Sequence, residues 1–486
     1  MFKASRMLML IIVTIVATAA LIMPTVFAQK NSIPLRGVVE GFYGKPWSNE
    51  QRKDMLRFLG EQGFNAYIYA PKNDPYHKAR WREFYPADEM NELAQVVATA
   101  NESGVEFIYA LSPGADLKYE GAEWFTERRR MLAKLESLYK IGIRRYALFF
   151  DDLLGMTERS AVTMQDGKNQ AKFINFIQDV FRTVHPDVEA FVTVPTEYFG
   201  EDMYNSDGVK PYTRAFAQTL SPAVLMLYTG AGVVPEGIDE KELAVMDKIC
   251  GRVPGIWWNY PVNDYMESKL ALGPVVNLPR RNDYPALFFN PMGRVHLSKI
   301  TLATGAEYAQ NPATYNPEEA WHRAITKQYG ELAADMEMFA AHSMRMQNSW
   351  AHTGLPDGKE LRHEMDEFWL ARDARDTGAE SKRQKLQLKL ERLIVAANRL
   401  QSELPPEILA ECRPQLELFG ELAQADKEAL DLFQPDLERD TSYKKDLQAR
   451  LTQKAKQFDE EKETARLSEQ TLRAFLDEAL RRASRL

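Results

Sequence analysis

The chain is predicted to be an α/β protein, a (β/α)₈ TIM barrel followed by an all-α helical region. Between Leu35 and Asn290 one unit recurs: a short apolar or aromatic run, a polar or Gly/Pro-rich exit, then a longer amphipathic stretch. Eight such units in roughly 250 residues have the dimensions of a closed barrel, with an open doubly wound sheet as the alternative. Beyond Asn316 the pattern changes to helical stripes.

The eight predicted strands are Gly37 to Val39, Ala66 to Ala70, Glu106 to Leu111, Tyr146 to Phe150, Ala190 to Val194, Val224 to Tyr228, Gly255 to Trp258 and Ala286 to Phe289. Their exits read Glu40-Gly41, Lys72, Ser112-Pro113-Gly114, Asp151-Asp152, Thr196-Glu197-Tyr198, Thr229-Gly230, Asn259 and Asn290-Pro291. In barrels of this kind the active site is assembled at these C-terminal strand ends, so the exits are expected to converge on one pocket. Strand-terminating turn chemistry by itself accounts for about half of these polar positions.

At Asn316-Pro317-Glu318-Glu319 a cap residue, a proline at the first helical position and two acids predict a helix start. Leu386, Leu390, Leu393, Ala397, Leu400 and Leu404 form the stripe of a helix packed in a bundle, and Pro405-Pro406 ends it. A second stripe runs through Leu472, Phe475, Leu476, Ala479 and Leu480. Such stripes pack within one chain or across a homo-oligomer, and the charged stretch Asp459 to Thr464 reads as a solvated face. The expected domains are a barrel over residues 33–312 and a helical region over residues 316–486.

Lys3 and Arg6, the apolar stretch from Met7 to Met23, and Val26-Phe27-Ala28 predict a secretory signal over residues 1–28, and hence an exported, periplasmic or secreted protein. The stretch falls short of the ~20 residues that comfortably span a bilayer, so no stable membrane insertion is expected after cleavage. With 486 residues, 45% of them hydrophobic, the chain can bury a sizeable core. A formal net charge of -8 argues against nucleic acid as a partner, because no basic excess displaces counterions. Two cysteines, Cys250 and Cys412, do not make a disulfide framework and are expected as separate buried thiols.

Asp151 and Asp152 follow a buried apolar run, and two charges there must face something polar. Adjacent aspartates arise about once or twice by chance in a chain this long, so the strand exit is what gives the pair weight. Neighbouring carboxylates titrate as a coupled pair, one able to hold a proton while the other stays charged. Glycoside hydrolysis needs such a pair. Consecutive side chains on a strand point to opposite faces, so the two share a substrate only where the strand ends and turns.

Tyr43, Tyr198, Trp257 and Trp258 offer flat apolar faces to a sugar ring, with Trp258 expected to pack behind the site. Lys72, Asn259, Asp264 and Asn290 supply hydrogen bonds to hydroxyls. No metal site or cofactor is expected: the seven His residues show no HExxH or paired spacing, and His77, His185 and His296 read as structural or surface groups. Gly230-Ala231-Gly232 continues Val233-Val234-Pro235 and fails the phosphate-loop fingerprint, and neither GxSxG nor CxxC occurs.

The stretch Gly37-Val38-Val39-Glu40-Gly41-Phe42-Tyr43-Gly44-Lys45-Pro46-Trp47, with Tyr69-Ala70-Pro71-Lys72-Asn73-Asp74, Phe149-Phe150-Asp151-Asp152, Pro195-Thr196-Glu197-Tyr198 and Trp257-Trp258-Asn259 through Asn263-Asp264-Tyr265, resembles the O-GlcNAcase-type β-N-acetylglucosaminidases, which include bacterial proteins called hyaluronidases. The resemblance covers roughly residues 33 to 350, while the last hundred or so residues are marked only as helical. It implies an exo-acting hydrolase of terminal β-linked N-acetylglucosamine that retains configuration, the substrate's own acetamido oxygen forming an oxazoline.

By the same resemblance Asp151 orients the acetamido N–H and Asp152 is general acid, then base. Gly41, through its backbone, and Lys72 hold the 3-hydroxyl side. Tyr198 and Asn259 bracket the acetamido group, Trp257 is an apolar wall, Asp264 and Asn290 bind hydroxyls, and Tyr43 is a further pocket residue. Trp258 and Val194 differ from the Asp and Cys that eukaryotic relatives often carry. The alternatives are an inactive sugar-binding homologue and a retaining glycosidase with a carboxylate nucleophile.

Overall fold

A computed structural model of the chain describes residues 32–114, 116–153, 161–434 and 441–485; the expected signal segment lies outside them. Eight parallel strands close a barrel: β1 Leu35–Glu40, β2 Ala66–Tyr69, β3 Glu106–Leu111, β4 Arg145–Phe149, β5 Val192–Val194, β6 Leu225–Tyr228, β7 Gly255–Trp258 and β8 Ala286–Phe289. Each strand pairs with its neighbours in sequence, and β1 closes on β8 with Leu35 opposite Ala286. The closed order excludes the open sheet.

Side chains alternate along every strand, as the pleat requires. Val39, Ile68, Ala110, Phe149, Val194, Leu227, Trp257 and Phe288 belong to the inner cluster, whereas Val38, Tyr67, Tyr109, Leu148, Met226, Trp258 and Phe289 pack outward among the helices. The inner layer is tight. A Cβ on Gly37 would lie 1.7 Å from the carbonyl oxygen of Ala66, so only glycine lets β1 and β2 approach there.

This alternation sorts the strand exits. Glu40 has outward parity and leaves the pocket: it is fully buried, takes a bidentate salt bridge from Arg52 (Nε to Oε2, 2.9 Å) and accepts the Tyr67 hydroxyl. The expectation that it faces the pocket fails because the pleat turns it to the helix Asn49–Gln62. After β5, Thr196 is tied to Gln170 at 3.0 Å. Glu197 accepts the backbone N–H of Thr213 (3.2 Å) and its hydroxyl, capping the helix Pro211–Thr219.

Helices follow seven of the strands, but residues 259–285 between β7 and β8 contain none, contrary to the regular alternation expected. Polar tethers hold this crossover instead. Val262 N–H donates to Asn290 O (2.9 Å), the Tyr260 hydroxyl to Met344 O (2.9 Å), Leu272 N–H to Ser343 O (2.7 Å) and Trp321 Nε1 to Leu272 O (2.7 Å). Pro261, Pro274, Pro279 and Gly273 interrupt any helical period in that stretch.

The helix Pro317–Tyr329 starts at its Asn316 cap as expected. Leu386, Leu390, Leu393, Ala397 and Leu400 are buried along Ala379–Glu403, and Pro405-Pro406 opens the next helix as well as ending that one. Leu472, Phe475, Leu476 and Ala479 are buried in Leu472–Ala483, and Asp459 to Thr464 are exposed. A small antiparallel hairpin, Met346–Gln347 with His352–Thr353, interrupts the otherwise helical region. Lys269 and Asp357 form a buried ion pair of 2.8 Å that ties the crossover to this region. Cys250 and Cys412 are separate buried thiols, each pushed up to about 12 by burial. Among the described residues no helix is long and apolar enough to cross a membrane.

Burial raises the Glu197 carboxyl from 4.5 to about 7. A raised acid stabilises the fold at low pH and loses that contribution as pH rises through its folded value. Glu197→Gln should therefore gain on the wild type by on the order of 2 kcal/mol between pH 4.5 and 7 in urea unfolding. Parallel stability profiles would contradict this assignment.

Candidate active site

Extending the inward parity of each strand by two residues gives Gly41, Lys72, Ser112, Asp151, Thr196, Thr229, Asn259 and Asn290. All lie at the C-terminal mouth, and contacts across it link most of the expected site residues. Lys72, after β2, forms a buried ion pair with Asp151 Oδ2, after β4. It reaches across β3, where the inward residue Ala110 is small. Asp151 Oδ1 is buried and has no donor among the described residues.

Asp152 has outward parity, yet it faces the mouth. Its φ of +50° is left-handed, a conformation Asp tolerates better than most residues, and this turn rotates its side chain out of the pleat. Two tyrosine hydroxyls from opposite sides then donate to it: Tyr43 to Oδ2 at 3.0 Å and Tyr198 to Oδ1 at 3.1 Å. The two consecutive carboxylates thus share one pocket while keeping separate partners.

The opposite wall is an amide chain. Trp257 Nε1 donates to Asn259 Oδ1 (2.8 Å), which also accepts Asn290 Nδ2 (3.0 Å), and Asn290 Oδ1 accepts the backbone N–H of Gly41 (3.3 Å). Asn259 Nδ2 donates one hydrogen to the carbonyl of Val233 (2.8 Å), and its second N–H has no acceptor among the described residues. A Cβ on Gly41 would meet the Trp257 indole at 2.4 Å, so glycine is what lets the ring lie flat against β1. Trp257 lines the interior beside Phe149, and Trp258 packs on the opposite face behind the site, as expected.

Asp264, on the helix-free crossover, accepts the backbone N–H of Tyr43 at 2.7 Å. Burial raises its pKa, with backbone donors opposing. Burial alone would lower the Lys72 pKa, but Asp151 and then Asp152 outweigh it, so the net shift is upward and the ammonium keeps its proton. Burial, reinforced by Asp152 and Asp151, raises Tyr43, so its phenol remains a hydrogen-bond donor. The ten expected site residues therefore gather at one mouth.

Lys78 and Trp350 were not singled out in the sequence, whereas His77, expected as a structural or surface group, is structural. His77 is fully buried beside Lys72, donates from Nδ1 to Ala110 O (2.7 Å) and is lowered to about 4 by burial. Lys78 lies 5.6 Å from the centroid of the Tyr43 ring. Trp350, half-exposed on the small hairpin, packs against Tyr265 at 4.9 Å. His77 and Lys78 lie in irregular chain between β2 and the next helix, where no period marks a facing side chain; Trp350 reaches the rim only through tertiary folding.

Residues 36–341 match the family model described as beta-N-acetylglucosaminidase, and residues 360–476 match one described as hyaluronidase post-catalytic domain-like. The second match covers much of the stretch that the sequence reading marked only as helical. The protein O-GlcNAcases of Rattus norvegicus and Mus musculus are each 36% identical over 243 residues, which is 49% of this chain and 26% of theirs. The chain thus spans about a quarter of the curated relatives it matches. The solved structure of CpGH84B is 34% identical with a TM-score of 0.85, covering 92% of this chain and 77% of that one. An Asp-to-Asn variant of the O-GlcNAc hydrolase of Thermobaculum terrenum superposes with a TM-score of 0.80 over 93% of this chain and 95% of that one; at 24% identity the likeness shows the fold alone. With a family model covering the whole barrel and a relative of this extent, the chain belongs to the beta-N-acetylglucosaminidase family.

Proposed function

We propose that the chain is an exo-acting hydrolase of terminal β-linked N-acetylglucosamine, working with retention through an oxazoline formed by the substrate's acetamido group. The observation that carries this reading is the unequal treatment of the two carboxylates. Asp151 is neutralised on one oxygen by Lys72 and keeps the other buried with no donor among the described residues. A buried acceptor of this kind is costly until a donor arrives, and the acetamido N–H is such a donor. Holding that N–H aims the acetamido oxygen at the anomeric carbon and stabilises the positive charge that develops on the group.

Asp152 accepts hydrogen bonds from the Tyr43 and Tyr198 phenols, in a position to give a proton to the leaving oxygen and later to take one from water. The remaining N–H of Asn259 suits the acetamido carbonyl, and Trp257 walls the pocket on that side. Lys72 and the backbone of Gly41 suit the 3-hydroxyl, while Asp264 and Asn290 suit the hydroxyls at the far end of the ring. A conventional nucleophile is disfavoured because the carboxylate beside the proton donor is committed to an ammonium. Export of the enzyme is part of the proposal, supported by Lys3, Arg6 and the apolar stretch before Ala28; a mature chain starting at Gln29 would bear it out.

Asp152→Asn should lower kcat/KM by about 10²–10⁴ on N-acetylglucosaminides with poor leaving groups and far less on those with activated aryl groups. Equal loss on both would contradict the acid role. Replacing the substrate's N-acetyl group by mono-, di- and trifluoroacetyl should slow hydrolysis progressively, since the acetamido oxygen becomes a weaker nucleophile. Rates independent of fluorine content would point to an enzyme nucleophile, and absence of turnover of any aryl glycoside with retained sugar binding would point to a binding protein.

A further inference from the structure

Asp264 sits on a tight turn whose far end is gripped by the helical region. Asn263 is buried and closes the turn: its Nδ2 donates to the Lys269 carbonyl (2.7 Å), its own carbonyl accepts the Met266 N–H (2.8 Å), and the Lys269 N–H donates to the Met266 carbonyl (3.0 Å). Residues 263–269 are therefore one closed unit, with Asp264 at the end that meets the Tyr43 N–H (2.7 Å). At the other end Lys269 is buried, and its ammonium holds Asp357 Oδ2 at 2.8 Å, with Glu469 Oε2 at 3.5 Å. Asp357 is itself fixed, since its Oδ1 accepts the backbone N–H groups of Met344 (2.7 Å) and Arg345 (2.8 Å). The adjacent Ser268 carbonyl accepts the Arg466 N–H (2.9 Å) and Gln415 Nε2 (2.7 Å).

A carboxylate that binds a sugar hydroxyl must stand within hydrogen-bond reach of it, and a displacement of about 1 Å forfeits much of the contact. The crossover has no helix to fix Asp264 there. Well-packed apolar side chains often stabilise a fold as well as a buried ion pair does, whereas the pair also fixes a direction through its hydrogen bonds. We propose that Lys269 is a positioning residue for the hydrolysis: paired with Asp357, it aims the Asp264 carboxylate at the hydroxyls at the far end of the N-acetylglucosamine ring. The inference rests on the hydrolase reading above and adds to it a residue that lies outside the pocket.

The test measures kcat/KM on an aryl β-N-acetylglucosaminide and on its 4-deoxy and 6-deoxy analogues. Asp264→Ala identifies the hydroxyl that Asp264 binds, because the analogue lacking it is the one that the substitution harms least. Lys269→Met should lower kcat/KM on the parent by about tenfold, the size of one misplaced hydrogen bond to a charged group, and on that analogue by less than about twofold. A residue that only supports the fold would lower both alike. Because Lys269→Met leaves Asp357 buried without its counter-charge, a second variant combines it with Asp357→Asn, which removes both charges while an amide oxygen still accepts the Met344 and Arg345 N–H groups. The same selective loss is expected there. Equal losses on parent and analogue, wild-type discrimination in the folded double variant, or failure of both variants to fold would each overturn the proposal. If Asp264→Ala harms the parent and both analogues alike, Asp264 binds neither hydroxyl and the proposal falls, while the roles of Asp151 and Asp152 stand. Absence of turnover by the wild type would remove the hydrolase reading itself, and the proposal with it.

Discussion

Everything at the mouth of this barrel depends on the two-residue period of its strands. The pleat that sends Ala147 and Phe149 inward sends Asp151 inward, and the same rule carries Ile68 and Ala70 to Lys72, Trp257 to Asn259 and Phe288 to Asn290. A shift of one residue in β2 or β4 would turn Lys72 or Asp151 out of the pocket and toward the helices. The barrel interior holds that register, because close approaches such as Gly37 against Ala66 leave no room for another. Asp152 is the deliberate exception. Its left-handed backbone breaks the period at one residue and so brings a second carboxylate into the pocket without a ninth strand to supply it.

The charges placed by this rule settle one another. Asp151, Asp152 and Asp264 together would make the mouth repulsive to itself, and the Lys72 ammonium, paired with Asp151 and attracted by Asp152 and Asp264, offsets that. Burial strengthens the pairing because little water competes for either partner. The phenols of Tyr43 and Tyr198 hold Asp152 from two sides without adding charge. The helical region contributes through the crossover that carries Asp264. Trp321 Nε1, the Ser343 and Met344 carbonyls, and Asp357 fix a segment that has no helix of its own to pack. The family match over residues 360–476 accords with a region that accompanies the barrel.

Strand positions and the polarity of their exits were legible because both follow from local composition: apolar runs such as Glu106–Leu111 and Ala286–Phe289 end where turn residues begin. Membership of the pocket was only half legible. Glu40 and Asp152 have the same outward parity, and only the backbone turn at Asp152 separates a salt-bridged support from a site residue. The missing helix after β7 was masked by apolar residues such as Leu270, Leu272 and Val275, which are buried by tertiary tethers and not by a helical face. Lys78 gave no signal at all, since its place depends on how irregular chain folds back over Tyr43.

The account stands or falls on how the two carboxylates meet a substrate. A crystal structure of the Asp152→Asn variant soaked with a β-N-acetylglucosaminide of poor leaving ability addresses this directly. The account predicts the acetamido nitrogen within about 3 Å of Asp151 Oδ1 and the glycosidic oxygen beside the amide of residue 152. An acetamido group turned away from Asp151, with the anomeric carbon facing a different carboxylate, would contradict it.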